Sequence, residues 1–409
     1  MKFTRELLGR KNQKGVALLI AVFSVVIITY LVSEILYETN VEYAVNAGAV
    51  SRLKAYYAAK AGLDISLLRI KMYNKVQKQF GSQIPDAQKQ LLEMIWQFPF
   101  SWPPMVPDEA SGVDKDMIKD KIKESTMDAT YVTTIADEGS KIDINDLASP
   151  SKGLREITKK LILQIFENKR TNDEDWARKH ENLRMEEIVN NIIDWEDGDS
   201  VSLNGGDEHA LYSNFSLEKP LPPNRAFRTV EELRMVAGMT DEIFNILKER
   251  VTVYGTRAIN PNHANGEVLK ALDVSITDAV LTKILGRRSD PEKGPFKDAN
   301  DFWTFVNAEG GNVREEVQKT IPLMFEQVTN FRIKSIGEFG GFTREIEAVV
   351  FDFNTVGSTI ASRMQKELSN APDTPPPKEG EKEKKPSSTN KTNEPLPKGP
   401  PRIVYLIER

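Results

Sequence analysis

Eighteen consecutive residues, Val16 to Ser33, carry no charge, and this run constrains the chain more than any other feature. A helix that spans a bilayer needs about 20 apolar residues. A cleavable secretory signal has an apolar core of roughly 7–15 residues and ends in a small-x-small site. Here the run is longer, and SEILYETN follows it without such a site. The segment therefore reads as a retained membrane span. Lys2, Arg5, Arg10, Lys11 and Lys14 precede it against a single acid, Glu6. Basic residues before an apolar span hold that end in the cytoplasm, so everything after Ser33 is expected on the opposite side.

The helical pattern outlasts the span. From Glu34 to about Lys78 there is no proline, and Tyr43, Val45, Ala49, Leu53, Tyr56, Ala61, Leu67 and Ile70 recur at helix-like intervals. Sixty-odd residues at 1.5 Å each give a rod of about 90 Å, with Gly48 and Gly62 as places for a bend. Its second half is amphipathic and needs a body to pack against.

At 409 residues the chain exceeds one ordinary core. It contains no cysteine, which excludes disulfides, thiolate catalysis and cysteine zinc sites. The net charge is −5, and without residues 1–15 there remain 50 basic and 59 acidic side chains. Phosphate binding calls for a basic surface, so nucleic acid is not an expected partner. LRMVAGMTDEIFNIL resembles a helix-hairpin-helix, but residues 223–257 around it are not strongly basic.

Residues 81–107 read as loop, since QFPFSWPPMVP carries four prolines. ATYVTTIADEG, residues 129–139, is β-branched and reads as a strand, with KIDIN as a second short one. Residues 146–325 are mostly helical in pattern. RTVEELRMVAGMTDEIFNILKERVTVYG and NGEVLKALDVSITDAVLTKILGRR look alike as helix, turn, helix, and DFWTFVNAEGGNVREEV is a broken third copy. Residues 329–353 alternate around GEFGG as a β-hairpin. Residues 371–400 are rich in Pro, Lys, Glu and Ser and too polar to order themselves. RIVYLIER closes the chain as a strand, which needs an existing sheet to join. The expected sheet combines residues around 129–145, 329–353 and 402–408.

The most concentrated chemistry is DWEDGDSVSLNGGDEHALY, residues 194–212. Acids on a glycine-containing loop are what a hard cation such as Ca²⁺ takes, yet the spacing is not that of an EF-hand. The residues alone allow either a cation site or a solvated acidic loop. Asn260, Asn262 and Asn265 are suited to capping a helix that starts near Gly266. His180, His209 and His263 stand far apart, no G-x-S-x-G motif occurs, and no pair of histidines shares a helix face. An enzyme is not expected.

Three motifs carry a resemblance. The junction QKG|VALLIAV resembles the leader of type IV pilins and pseudopilins. TTIADEGSKIDIND resembles that family's strand, Asp-Glu turn and spaced asparagines. DWEDGD with a downstream Glu resembles a motif of the general secretion pathway protein K family, the minor pseudopilins of type II secretion. The resemblance implies cleavage by a prepilin peptidase after Gly15 and methylation of Val16. It also places at Ile20 the position where most members carry Glu. A carboxylate in the bilayer is costly without a cationic partner, so a subunit with no neighbour above it gains from lacking one.

The implied fold is α+β: a long N-terminal transmembrane helix packed on an antiparallel sheet, with a large inserted α-helical domain resembling sterile-alpha-motif folds. The implied segments are 1–15 leader, 16–80 helix with 16–33 in the membrane, 81–145 first pseudopilin part, 146–325 inserted domain, 326–370 sheet, 371–400 loop and 401–409 last strand. The implied role is to start or cap the periplasmic pseudopilus that exports folded proteins. Partners would be the I- and J-type minor pseudopilins, the major pseudopilin and the inner membrane, with the C-terminal domain in the periplasm. The resemblance further implies Ca²⁺ held by Asp194, Asp197, Asp199 and Glu208. The alternative is a minor pilin of a type IV pilus or DNA-uptake filament.

Overall fold

The computed structural model describes residues 13–81, 83–84, 86–105, 112–212, 222–290, 292–353, 357, 360 and 401–409. Residues 1–12 of the expected leader 1–15 and the stretch 371–400 lie outside the described residues.

One helix, α1, runs unbroken from Gln13 to Phe80, about 100 Å at the usual rise. Its two halves have different surroundings. Val16, Ile20, Phe23, Tyr30 and Leu36 are all more than half exposed. From Ala55 onward one face is buried, through Ala55, Ala58, Ala59, Leu63, Ser66, Ile70 and Tyr73.

That face rests on a five-stranded sheet of β1 (Phe100–Trp102), β2 (Thr130–Asp137), β5 (Asn330–Phe339), β6 (Phe342–Phe351) and β7 (Arg402–Glu408). The strands lie in the order β1-β2-β5-β6-β7, every neighbour antiparallel. The alternation of β2 turns Tyr131, Thr133, Ile135 and Asp137 inward. β5 and β6 meet at Gly340 and Gly341, whose positive φ values of 57° and 79° make the tight turn that a residue with a Cβ adopts poorly. β7 joins the outer edge of β6, as its lone apolar alternation requires.

Small residues let α1 approach closely. A Cβ on Gly62 would overlap Ser335 and Thr133 and stand 2.9 Å from a Tyr131 ring carbon. Ser335 Oγ donates to the Ala59 carbonyl at 2.7 Å. Gly62 is thus a point of contact with the sheet, and the helix continues through it and Gly48 without a break. The core beneath includes Ile70, Tyr73, Phe331, Ile333, Ile346 and Val350; removing such a side chain to Ala costs about 2–5 kcal/mol.

Residues 81–107 depart from the loop expected of them. α2 (Asp86–Gln97) and β1 form there. Leu92, Ile95 and Trp96 provide an i, i+3, i+4 stripe against α1, and Pro99 stands beyond the helix end, where proline does no harm. Arg69 of α1 donates to the Ile95 carbonyl at 2.8 Å, placing a cation at the negative end of α2. A further helix, α3 (Gly112–Glu124), has no counterpart in the sequence reading.

The second correction concerns KIDIN. β3 (Ile142–Asp143) does not enter the large sheet; it pairs in parallel with β4 (Val251–Thr252). The large sheet therefore stops at Asp137, and the helical body begins near residue 140. That body contains α4 (Lys152–Asn172), α5 (Glu174–Lys179), α6 (Met185–Glu196), α7 (Glu208–Tyr212), α8 (Asp241–Leu247), α9 (Gly266–Leu272), α10 (Asp278–Arg288), α11 (Ala299–Ala308) and α12 (Glu315–Thr320). The three helix-turn-helix units take shape, the first opening with a 3-10 turn at Val230–Met235. Ser151, Asp173, Thr240, Asn265, Thr277 and Asp298 each accept the backbone N–H three residues on, the N-cap bond that satisfies an orphan donor. The helices enclose a core around Ile162, Phe166, Val189, Ile192, Leu233, Leu247, Leu269 and Phe302.

Candidate functional site

Two regions carry functional chemistry. The first is the exposed half of α1. Gly15, Val16 and Ile20 lie in its first turns, Val16 at 60% and Ile20 at 58% exposure. Among the described residues this is the one helix long and apolar enough to cross a membrane. Within the span, Thr29 Oγ1 donates to the Val25 carbonyl at 2.8 Å, which satisfies that hydroxyl inside the helix as a hydrocarbon surrounding requires. Beyond the uncharged run, Ile35, Tyr37, Tyr43, Val45 and Val50 stay exposed, an apolar surface that precedes the face buried on the sheet from Ala55 onward.

The second region is the acidic loop between α6 and α7. Asp194 sits in the last turn of α6 and is buried. Both of its carboxylate oxygens accept the Leu203 N–H, at 3.1 and 3.2 Å. The chain turns back through Gly205 and Gly206, with φ of 92° and 95°, and a bridge between Val201 and Asp207 closes the loop. Asn204 anchors it to α6, donating to the Glu187 carbonyl and to Asn191 Oδ1, each at 2.8 Å. The closure brings Glu208 back beneath Asp194.

Asp194, Asp197 and Glu208 each offer one oxygen, all within 4.8 Å of one another. Asp197 Oδ1 and both oxygens of Glu208 are buried with no donor among the described residues. Burial, then the charges of Asp197, Asp194 and Asp199, push the Glu208 carboxyl up to about 7. Burial and Asp199 raise Asp197 as well. Three crowded carboxylates, two of them with unpaired oxygens, fit a hard divalent cation, which takes oxygen ligands on flexible loops. Asp199, the fourth residue expected here, stands outside the trio; its side chain accepts the Val201 N–H at 2.8 Å. His209 is likewise outside, and its backbone N–H is held by Asp207. Glu196 is buried on the other side of the chain, its carboxyl pushed up to about 9 by burial and by Asp143 and Asp146.

Of the three asparagines considered for capping, only Asn265 caps α9. Asn260 donates to Asp137 Oδ2 at 2.9 Å, and Asn262 exchanges two hydrogen bonds with the Phe296 backbone. The histidines do not meet. His180 stacks on Trp176 and His263 stands against Trp96. The sequence reading missed the residue that joins the two bodies, Arg332 of β5, whose guanidinium pairs with the buried Glu138. In the strand it alternates with Lys334 and Glu338 on the polar face, so nothing local marks it out.

Residues 140–256 match the family model described as type II secretion system, protein K, and this segment starts where the helical body starts and contains the acidic loop. Among solved structures, a chain of the GspK-GspI-GspJ complex from the enterotoxigenic Escherichia coli type 2 secretion system is similar. It is 19% identical, with 55% of this chain and 75% of that chain covered and a TM-score of 0.43. No curated protein matches.

Proposed function

We propose that this chain is a minor pseudopilin of the type II secretion protein K family, whose model matches residues 140–256, and that it starts or caps the pseudopilus at its tip. The observation that carries the reading is α1. One continuous helix is bare and apolar for its first half and clamped to a sheet for its second. The broad helical body is tied to that sheet through Glu138 and Arg332. Such a subunit offers a helix for bundling below and a bulky head above.

In this account a prepilin peptidase cuts after Gly15 on the cytoplasmic side, and Val16 becomes the methylated amino terminus. The span 16–33 sits in the inner membrane, and the head lies in the periplasm. Ile20 leaves no carboxylate to be neutralised by a subunit above, which suits a terminal position. The exposed apolar residues from Ile35 to Val50 pack against helices of the I- and J-type minor pseudopilins, and major pseudopilins add below. Asp194, Asp197 and Glu208 would hold Ca²⁺, which would supply the positive charge that the unpaired oxygens of Asp197 and Glu208 lack and tie α6 to α7. Asp199 lies at the rim of that site.

Co-purification tests the assembly reading. The full chain, expressed with its companion minor pseudopilins in membranes, is expected to be recovered with them as one complex in detergent. Recovery of the chain alone, under conditions where the companions pair with each other, would overturn it.

A further inference from the structure

The joint between the sheet and the helical body contains an enclosed histidine. His263 lies on the loop before α9, and its Nε2 stands 3.4 Å from Glu93 Oε1 on α2. Its Nδ1 faces the Gln97 amide at 3.4 Å, and its ring meets Trp96 edge-on at 5.4 Å. Trp96 in turn packs on Tyr73 and Phe331, under the sheet. The same loop is pinned again by Asn260, whose amide donates to the buried Asp137 at the end of β2. A cavity of about 210 Å³ opens beside the ring.

We propose that His263 and Glu93 form a proton-operated latch between α2 and the helical body, tight while the imidazole is charged and loosened when it is neutral.

Every element around the ring contributes. Glu93 from α2 and Asp137 from β2 attract the imidazolium, whereas Arg288 from α10 repels it. Tyr73 from α1 stays neutral, its hydroxyl pushed up by burial. Lys297 and Glu326 at the cavity wall carry opposite charges. Burial by itself would lower the histidine's pKa, but the bond to Glu93 and the charges of Glu93 and Asp137 outweigh it, and the net shift is upward. Burial pushes the Asp137 carboxyl up to about 6.

Both shifts have the same sign. A histidine raised in the folded state adds stability below its unfolded pKa, and that stability is lost as pH rises through the folded value. An acid raised in the folded state also binds more protons when folded, so it too loses stability as pH rises toward 6. Protonation makes Nδ1 a second donor, and the Gln97 amide must then turn its oxygen to the ring.

Hydrogen exchange on the full chain in detergent, corrected for intrinsic rates, tests the latch at pH 6.0 and 8.0. Protection of the α2 amides from Leu91 to Gln97 is expected to fall several-fold on raising the pH, as the imidazolium that holds Glu93 loses its charge. In His263→Gln and Glu93→Gln the fall is expected to stay within about twofold, since neither variant has the His263–Glu93 ion pair to lose. Wild-type protection that ignores pH, or a fall that survives in both variants, would overturn the proposal. A ring-proton NMR titration gives an independent reading in the unmodified protein. The His263 midpoint should lie above the ordinary value of about 6.5, and a midpoint at or below it contradicts the latch. Neither reading depends on the protein's place in a filament.

Discussion

Arg332 holds Glu138 along one edge of its guanidinium: Nε donates to Oε2 at 2.6 Å, Nη2 donates to Oε1, and the carboxylate is closed off from solvent. Thr252 Oγ1 donates to the same carboxylate at 2.6 Å, from the strand of the helical body. One buried charge is thus shared by the sheet and the body inserted into it. Burial opposes the ionised form, but Arg332 and Lys141 more than offset it, and the Glu138 carboxyl is held below its usual range.

Replacing Arg332 strands that charge. Arg332→Met is expected to cost about 3–5 kcal/mol, the usual loss when one partner of a buried pair is removed. Glu138→Gln in the same background should recover part of it. Denaturant unfolding of the full chain in detergent measures both. For the native pair the stabilisation is present above the unfolded carboxyl pKa and is lost as pH falls through the lowered folded value.

The two glycines of α1 should respond in opposite directions. At Gly48 an added Cβ meets the Phe342 ring at 3.5 Å, ordinary contact, so Gly48→Ala should stabilise by up to about 1 kcal/mol through helix propensity. At Gly62 the added carbon overlaps Ser335 and Thr133. Gly62→Ala should destabilise by about 1–3 kcal/mol, as overpacking does. Thermal melts of the two variants separate a helix that merely passes Gly62 from one pressed onto the sheet there.

The acidic loop makes a prediction with and without metal. Saturating Ca²⁺ at about 100 times its Kd should stabilise the chain by about 2.7 kcal/mol, and chelation should reverse the gain. Asp194→Asn and Glu208→Gln should abolish the gain, while Asp199→Asn should retain most of it. Without calcium, Glu208→Gln should be no less stable than the native chain, because it removes a crowded carboxylate with no donor. Calorimetric melts with calcium and with chelator read all of these.

Processing is tested by mass. The form isolated from membranes is expected to begin at Val16 and carry one N-methyl group. Gly15→Leu should leave the leader attached. A native chain that starts at Met1 contradicts the cleavage.

Much of this architecture could be read from periodicity. The α1 pattern, the hairpin around GEFGG and the returning RIVYLIER strand each follow from repeats of 3.6 or 2 residues that decide which face is buried. Where the reading failed, a local signal competed with a distant one. Prolines at 99, 103, 104 and 107 suggested a loop, but the stripe of Leu92, Ile95 and Trp96 just before them makes α2. KIDIN alternates like a strand of the large sheet, yet its partner is Val251–Thr252, more than a hundred residues away, and nothing local could have indicated it. The acidic loop was legible as composition. Which acids converge was not, because the convergence depends on the two positive-φ glycines that fold Glu208 back to Asp194. His263 and Glu93 are separated by too much sequence for either to announce the other.

Position along the filament tests the central claim most directly. Since the chain has no cysteine, a single cysteine at Val274, which is 77% exposed between α9 and α10, gives a unique attachment point for a gold label. On isolated pseudopili carrying this variant, the account predicts gold at one extremity of each filament. Gold spaced along the shaft would contradict it.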